Sequence, residues 1–255
     1  MSGAAVKLVD QDPTVYPIED DMGEGSLQRF ISELLRALIE IWLRSRGEQS
    51  FVGADQFFYW QQYNPTESVA PDVYVLPGVP QQGTRVGAWK VWQTGKVPSF
   101  VFEVVSQDLE KDYLTAPAKY GRLGVEELIV FDPDHRESSA RVRWQVFRRS
   151  RSGFTRVEAT DADRVRSKVL GCWLRAVGEG DSTRVRLALD PDGEALVPTD
   201  AEARARAEAE QHRLAEALES EREARMALER ELARLKGEIT PPPTSTKREK
   251  RRKGR

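Results

Sequence analysis

Apolar residues recur every three or four positions at Leu27, Phe30, Ile31, Leu34, Leu35, Leu38, Ile41 and Trp42, the period of a helix with one wide apolar face. Ser26 stands where an N-cap is wanted and Gly47 where such a helix stops. The pattern therefore predicts a helix from Ser26 to about Arg46 that packs on a sheet. Beyond it, the period shortens to that of strands. Phe51–Trp60 is aromatic and β-prone, APDVYVLPG reads as a short strand closed by Pro77 and Gly78, and PSFVFEVVS reads as a strong strand. Residues 77–97 between them read as a long Gly-rich loop. A short helix is predicted from Thr115 to about Leu123, with Pro117 tolerated in its first turn. EELIVFDP is a further strand, ARVRWQVFRR and GFTRVEA form a hairpin turning at Ser150–Gly153, and a last strand falls near Thr183–Leu189. This order predicts an α/β (α+β) domain built on a mixed β-sheet flanked by helices.

The pattern changes at residue 200. From Asp200 to Glu238 the chain is almost entirely Ala, Glu, Arg, Leu and Gln, which predicts a long, exposed C-terminal helix. Leu214, Leu218, Leu228, Leu232 and Leu235 fit a heptad seam, the signature of a coiled coil, with Glu221 and Arg225 interrupting it. A homodimer through 200–238 is the partner this seam suggests. Prolines 241–243 and TKREKRRKGR follow, with seven basic residues against Glu249, a composition that cannot bury a core. The organisation is thus an acidic, turn-rich extension (1–25), a domain (26–195), the charged helix (200–238) and a disordered basic tail (239–255).

Composition then excludes several chemistries. Cys172 is the single cysteine and His135 and His212 are the two histidines, which rules out an internal disulfide and a Cys- or His-rich zinc site. No apolar run approaches the length of a membrane span, and the N-terminus has no signal-like apolar region, so the cytoplasm is expected. With a net charge of −2, nucleic-acid contact requires a local basic patch. The loop at 77–97 offers Arg85, Trp89, Lys90, Trp92 and Lys96, suited to stacking and phosphate contact. The hairpin offers Arg141, Arg143, Arg148, Arg149 and Arg151, with Arg141 and Arg143 on one strand face.

The candidate chemistry rests on two acids. Glu103 lies among Val101, Phe102, Val104 and Val105, where a carboxylate is expensive to bury. Alternation puts Val101, Glu103 and Val105 on one side, which a solvated face would also explain. Asp72 opens another apolar stretch. Two such carboxylates repel and raise each other's pKa, and together they suit a divalent cation that activates water and stabilises charge on a phosphate. Lys119, beside Tyr120 on the helix after the Glu103 strand, is the candidate lysine. Lys111 is its rival, but it precedes the predicted helix.

Pro71-Asp72, Glu103-Val104-Val105-Ser106, Asp112, Lys119-Tyr120, Gly124-Val125-Glu126 and Asp132-Pro133 resemble, in order and spacing, the Uma-type family of restriction-endonuclease-like proteins. That family is a branch of the PD-(D/E)XK nuclease superfamily, and the resemblance spans roughly residues 20–195. It implies a restriction-endonuclease-like fold and a metal-dependent endonuclease acting on DNA. It also implies Mg²⁺, with Mn²⁺ as a substitute, held by Asp72, Glu103 and the Val104 carbonyl, and a catalytic set of Asp72, Glu103 and Lys119. The superfamily's usual E-x-K spacing asks for lysine at 105, where Val105 stands, so the lysine moves to the following helix. Leu27 occupies a first-helix place that is histidine in many members. Glu33, Ser106, Asp112 and Tyr120 are left unassigned, and an RNA substrate stays open. The alternative is a catalytically weak or inactive nuclease-fold protein that binds nucleic acid or itself through the C-terminal helix and basic tail.

Overall fold

In the computed structural model, which describes residues 13–17 and 25–239, the first helix is α1 (Ser26–Ser45). Gly25 is its N-cap, without a side-chain cap bond, and Ser26 is already helical. Ile31, Leu35, Leu38, Ile39 and Leu43 form its buried stripe. Then follow β1 (Ser50–Gly53), β2 (Phe57–Tyr59), β3 (Ser68–Val69), β4 (Val73–Pro77), β5 (Ala88–Lys90) and the single turn α2 (Val91–Thr94). β6 (Phe100–Val104) leads to a π-helical segment, Lys111–Thr115, that runs into α3 (Ala116–Leu123). β7 (Glu127–Phe131), β8 (Trp144–Ser150), β9 (Gly153–Thr160), β10 (Arg164–Arg166), β11 (Trp173–Val177), β12 (Arg184–Ala188) and α4 (Asp200–Ile239) complete the order.

The central sheet runs β1-β4-β6-β7-β8-β9. Only β6 and β7 are parallel within it, because the helical crossover between them returns the chain to the same end. β10-β11-β12 and β3-β2-β5 form two smaller sheets. Strand alternation divides β4 and β6 between two cores. Val73, Val75, Phe100, Phe102 and Val104 pack with α1 and with Val165, Leu174, Val185 and Leu187. Tyr74, Leu76, Val101 and Val105 pack with Tyr120 and Leu123 of α3 and with Phe58 and Trp89 of the β3-β2-β5 sheet.

The structure corrects several expectations. The loop at 77–97 contains β5 and α2, and Trp89 is a core residue, 3% exposed, whose indole donates to the Tyr74 hydroxyl at 2.6 Å. It is therefore withdrawn from any stacking role. β5 is three residues long and pairs in parallel with β2, a partner that no local pattern announces. The hairpin arginines are largely used inside the domain rather than displayed as a strip. Arg141 grips Asp132 through two bonds of 2.9 and 2.7 Å, Arg148 binds Glu127 at 2.7 Å, and Arg149 donates to the Gly121 and Val125 carbonyls.

The chain divides into two compact units, residues 1–199 and 200–255. Val197 is buried and its N–H donates to the Leu187 carbonyl at 2.8 Å, so the first unit runs past the boundary read at 195. In the second unit, α4 exposes every described side chain except the half-buried Glu202. Residues 1–12 and 18–24 of the N-terminal extension and the basic tail beyond 239 lie outside the described residues. Among the described residues, no helix is long and apolar enough to cross a membrane.

Candidate active site

The β4–β6 register pairs Val73 with Phe102 and Tyr74 with Val101. Continued by one residue, it sets Asp72 opposite Glu103, and directly opposed residues project from the same face of a sheet. That face is the one shared by Tyr74 and Val101, the one covered by α3. Asp72 is buried; its Oδ2 accepts the Val104 N–H at 2.6 Å and its Oδ1 accepts the Gln28 amide at 3.0 Å. The backbone of β6 and the first turn of α1 thus fix this carboxylate together. Glu103 is half-buried, and the Tyr120 hydroxyl donates to its Oε1. Burial first, and then the charge of Asp72, push the Glu103 carboxyl well above the usual carboxylate range. Tyr120 and Lys111 act in the opposite direction, while Asp112 adds to the rise. Burial and the adjacent Glu103 likewise raise the Tyr120 phenol, which stays protonated and serves as a donor.

Asp112, Ala116 and Tyr120 follow one another at four-residue intervals through the π-helical segment and α3, which places them near one face. Asp112 is buried and accepts the Ser106 N–H at 2.6 Å and its hydroxyl at 2.8 Å, tying the end of β6 to the helical crossover. Lys119 lies off that face. Its Nζ donates to the Thr66 and Ser68 carbonyls at 3.1 and 3.2 Å, so the structure brings Asp72 and Glu103 together but directs Lys119 elsewhere. The lysine whose charge reaches Glu103 is Lys111, exposed at the start of the π-helical segment. Starting the helix at Thr115 hid this, because the π turn begins four residues earlier. Such turns are rare and cluster at functional sites.

Sequence reading also passed over Gln28. Its signal was a polar residue three positions before Ile31 and seven before Leu35, on the buried stripe of α1. Tyr120 had a comparable signal, three residues before Leu123 on the buried face of α3. Glu33 is exposed on α1, away from its buried stripe.

Among the described residues, no group of three or more His, Cys, Asp or Glu side chains is arranged to hold a metal ion. A smaller oxygen set fits one: Asp72, Glu103 and the carbonyl of Val104. In an extended strand the N–H and C=O of one residue point the same way. The Val104 carbonyl therefore lies on the side where its N–H meets Asp72. Oxygen donors without nitrogen or sulfur suit a hard cation such as Mg²⁺, and like charges in opposed strand positions are destabilising without one.

A separate open cavity is lined by His135, Arg136, Ser138, Arg141, Arg143 and Asp161. Arg141 links it to Asp132, which also accepts the Tyr113 hydroxyl from the π-helical segment.

The mixed sheet thus presents Asp72 opposite Glu103 on one covered face. Residues 18–177 match the model of the Uma2 family, described as "Putative restriction endonuclease", and the chain belongs to that family. Its central sheet flanked by helices is the restriction-endonuclease-like element of the molecule, with α4 following as a long C-terminal helix. A solved structure from Anabaena variabilis, described as "a putative nuclease belonging to DUF820", is similar over 58% of this chain and 75% of its own, with 15% identity and a TM-score of 0.40. No curated protein matches the chain.

Proposed function

We propose that this protein is a metal-dependent endonuclease that hydrolyses phosphodiester bonds in DNA, using Mg²⁺ or, in its place, Mn²⁺. The observation that carries the reading is the opposition of Asp72 and Glu103 on one covered sheet face, with Glu103 held above its ordinary titration range chiefly by burial and by Asp72. Asp72, Glu103 and the Val104 carbonyl would hold the cation, which would supply water activation and charge stabilisation on the phosphate.

The chain's own residues prepare the site. Gln28 and the Val104 N–H orient Asp72, and Tyr120 orients Glu103 through Oε1. The second oxygen of Glu103 accepts no hydrogen bond from the described residues, which leaves it for a ligand. Lys111 replaces Lys119 as the lysine for the attacked phosphate, because its charge reaches Glu103 while Lys119 is held by two carbonyls. Arg136 and Arg143, with His135, line the separate open cavity with groups suited to a backbone phosphate, contacts that position a duplex without reading its sequence.

One observation favours the second reading, a nuclease-fold binding protein with little catalysis: the Lys119 amine is engaged by the Thr66 and Ser68 carbonyls. The deciding experiment incubates the full chain with single-stranded DNA, double-stranded DNA and RNA across Mg²⁺ and Mn²⁺ titrations. The endonuclease reading expects DNA cleavage that requires metal and vanishes in Glu103→Ala. A folded protein that binds DNA but cuts nothing at any metal concentration would establish the second reading instead.

A further inference from the structure

Leu214, Leu218, Leu228, Leu232 and Leu235 of α4 are 47–70% exposed, an apolar seam that is unfavourable in water unless another surface covers it. Glu221 and Arg225 occupy two positions of the same seam. We propose that this seam pairs with that of a second copy in an antiparallel helical dimer whose two-fold axis passes at Glu223.

Charge decides the direction. In a parallel, in-register pair each seam residue meets itself. Glu221 would then face Glu221 and Arg225 would face Arg225 at the centre of the interface, and such like-charge contacts select against a pairing. In the antiparallel pair, Glu221 of each copy meets Arg225 of the other, so the centre holds two opposite-charge contacts. The same register sets Leu218 against Leu228 and Leu214 against Leu232 on both sides, with Gln211 against Leu235 beyond them.

Sliding the antiparallel register by one heptad destroys this match. Glu221 would fall on Leu218 or Leu232, and Arg225 on Leu214 or Leu228. One register alone joins the charges and the leucines at once. A buried ion pair adds little stability over leucine, but a polar seam position is a well-attested device for fixing register and orientation. The residues flanking the seam agree: Ala215, Ala217 and Ala224 are small, and Glu208 lies close to Lys236 across the pair. Arg222 approaches its own copy near the axis, a repulsion offset by the Glu221–Arg225 pairs on either side. Helix rise sets the two Asp200 ends about 70 Å apart. This dimer does not depend on the endonuclease reading.

The test uses full-length chains carrying Leu214→Cys or Leu232→Cys, oxidised separately and after mixing under reducing conditions. Native Cys172 is 1% exposed with its thiol pushed up to about 12 by burial, so it stays silent. The antiparallel dimer gives a disulfide-linked pair in the mixture and little from either variant alone. Self-linked pairs from each single variant would show a parallel dimer and overturn the proposal. A mass by light scattering that stays at the 28.9 kDa of one chain at all concentrations would overturn it too. Glu221→Arg and Arg225→Glu should each weaken association at least about tenfold, the range of a single charge-pair change. The double swap should restore it. A double swap that remains dissociated while circular dichroism shows an intact helix would refute the register.

Discussion

Buried acids are placed at three points along the central sheet, and the sheet treats them in two different ways. Glu127 and Asp132 bracket β7 and each has an arginine of its own. Arg148 binds Glu127, joined by the Ser167 hydroxyl and the Lys168 N–H; Arg141 grips Asp132 with both arms of its guanidinium. On neighbouring β6, Glu103 receives a phenol, and the strongest charge acting on it is a second carboxylate. The first arrangement neutralises an acid permanently and locks two segments of chain together. The second leaves the neutralising charge to come from a ligand. An acid that supports the fold and an acid prepared for chemistry are therefore distinguished here chiefly by what compensates them, since Glu127 and Asp132 are buried and Glu103 is half-buried.

The largest expected effects break this comparison on activity. Glu103→Ala and Asp72→Ala should each reduce metal-dependent DNA cleavage by at least about 10³-fold, the scale of losing metal-based charge stabilisation, while leaving a cooperative melting transition. Asp132→Ala and Arg141→Ala should do the reverse. Arg141→Ala leaves Asp132 buried without its counter-charge, a loss of about 3–5 kcal/mol in urea denaturation, while Asp132→Ala costs less because Asp134 and Glu137 still reach Arg141. Equal losses of stability at both places would show that Glu103 is a structural acid like the others.

A smaller effect separates the two lysines. Lys111→Ala should lower cleavage by roughly 10–100-fold, the range for a positioned catalytic group. Lys119→Ala should leave cleavage within about twofold and cost about 1–3 kcal/mol of stability from two lost hydrogen bonds. Kinetics and thermal melts on the two variants measure this directly, and the opposite ranking would return the role to Lys119.

The smallest effect is on stability against pH. Glu103 is raised above its unfolded value, so its contribution is fully present at low pH and is lost as pH rises out of the ordinary carboxylate range. Glu103→Gln should flatten that decline and raise metal-free stability near neutrality, read as a higher urea midpoint than the native protein's. It should also lose the rise in melting temperature that Mg²⁺ produces in the native protein. A variant still stabilised by Mg²⁺ would place the cation elsewhere.

Much of the fold is legible along the chain, and the reason is local. The stripe of α1, the apolar runs of β4, β6 and β7, and the β8–β9 hairpin each repeat over a few residues, and the period of side-chain burial follows from helix or strand geometry alone. β5 was not legible, because three residues become a strand only when β2 is beside them. Trp89 and the hairpin arginines looked available for nucleic acid because their partners, Tyr74, Asp132 and Glu127, come from other elements of the fold.

The candidate site divides along the same line. Two acids in apolar strands, a nearby helix with lysines, and a leucine seam carrying one acid and one base were determined by the sequence alone, since each is a property of a short segment. Their use was decided by tertiary structure. The β4–β6 register opposes Asp72 to Glu103, and α1 supplies Gln28 from 44 residues away. The π-helical start of the crossover, from Lys111, turns Lys119 toward Thr66 and Ser68 and leaves Lys111 as the lysine felt at Glu103. Register and helix start depend on what packs against each segment, and a period read along one segment carries no information about its neighbours.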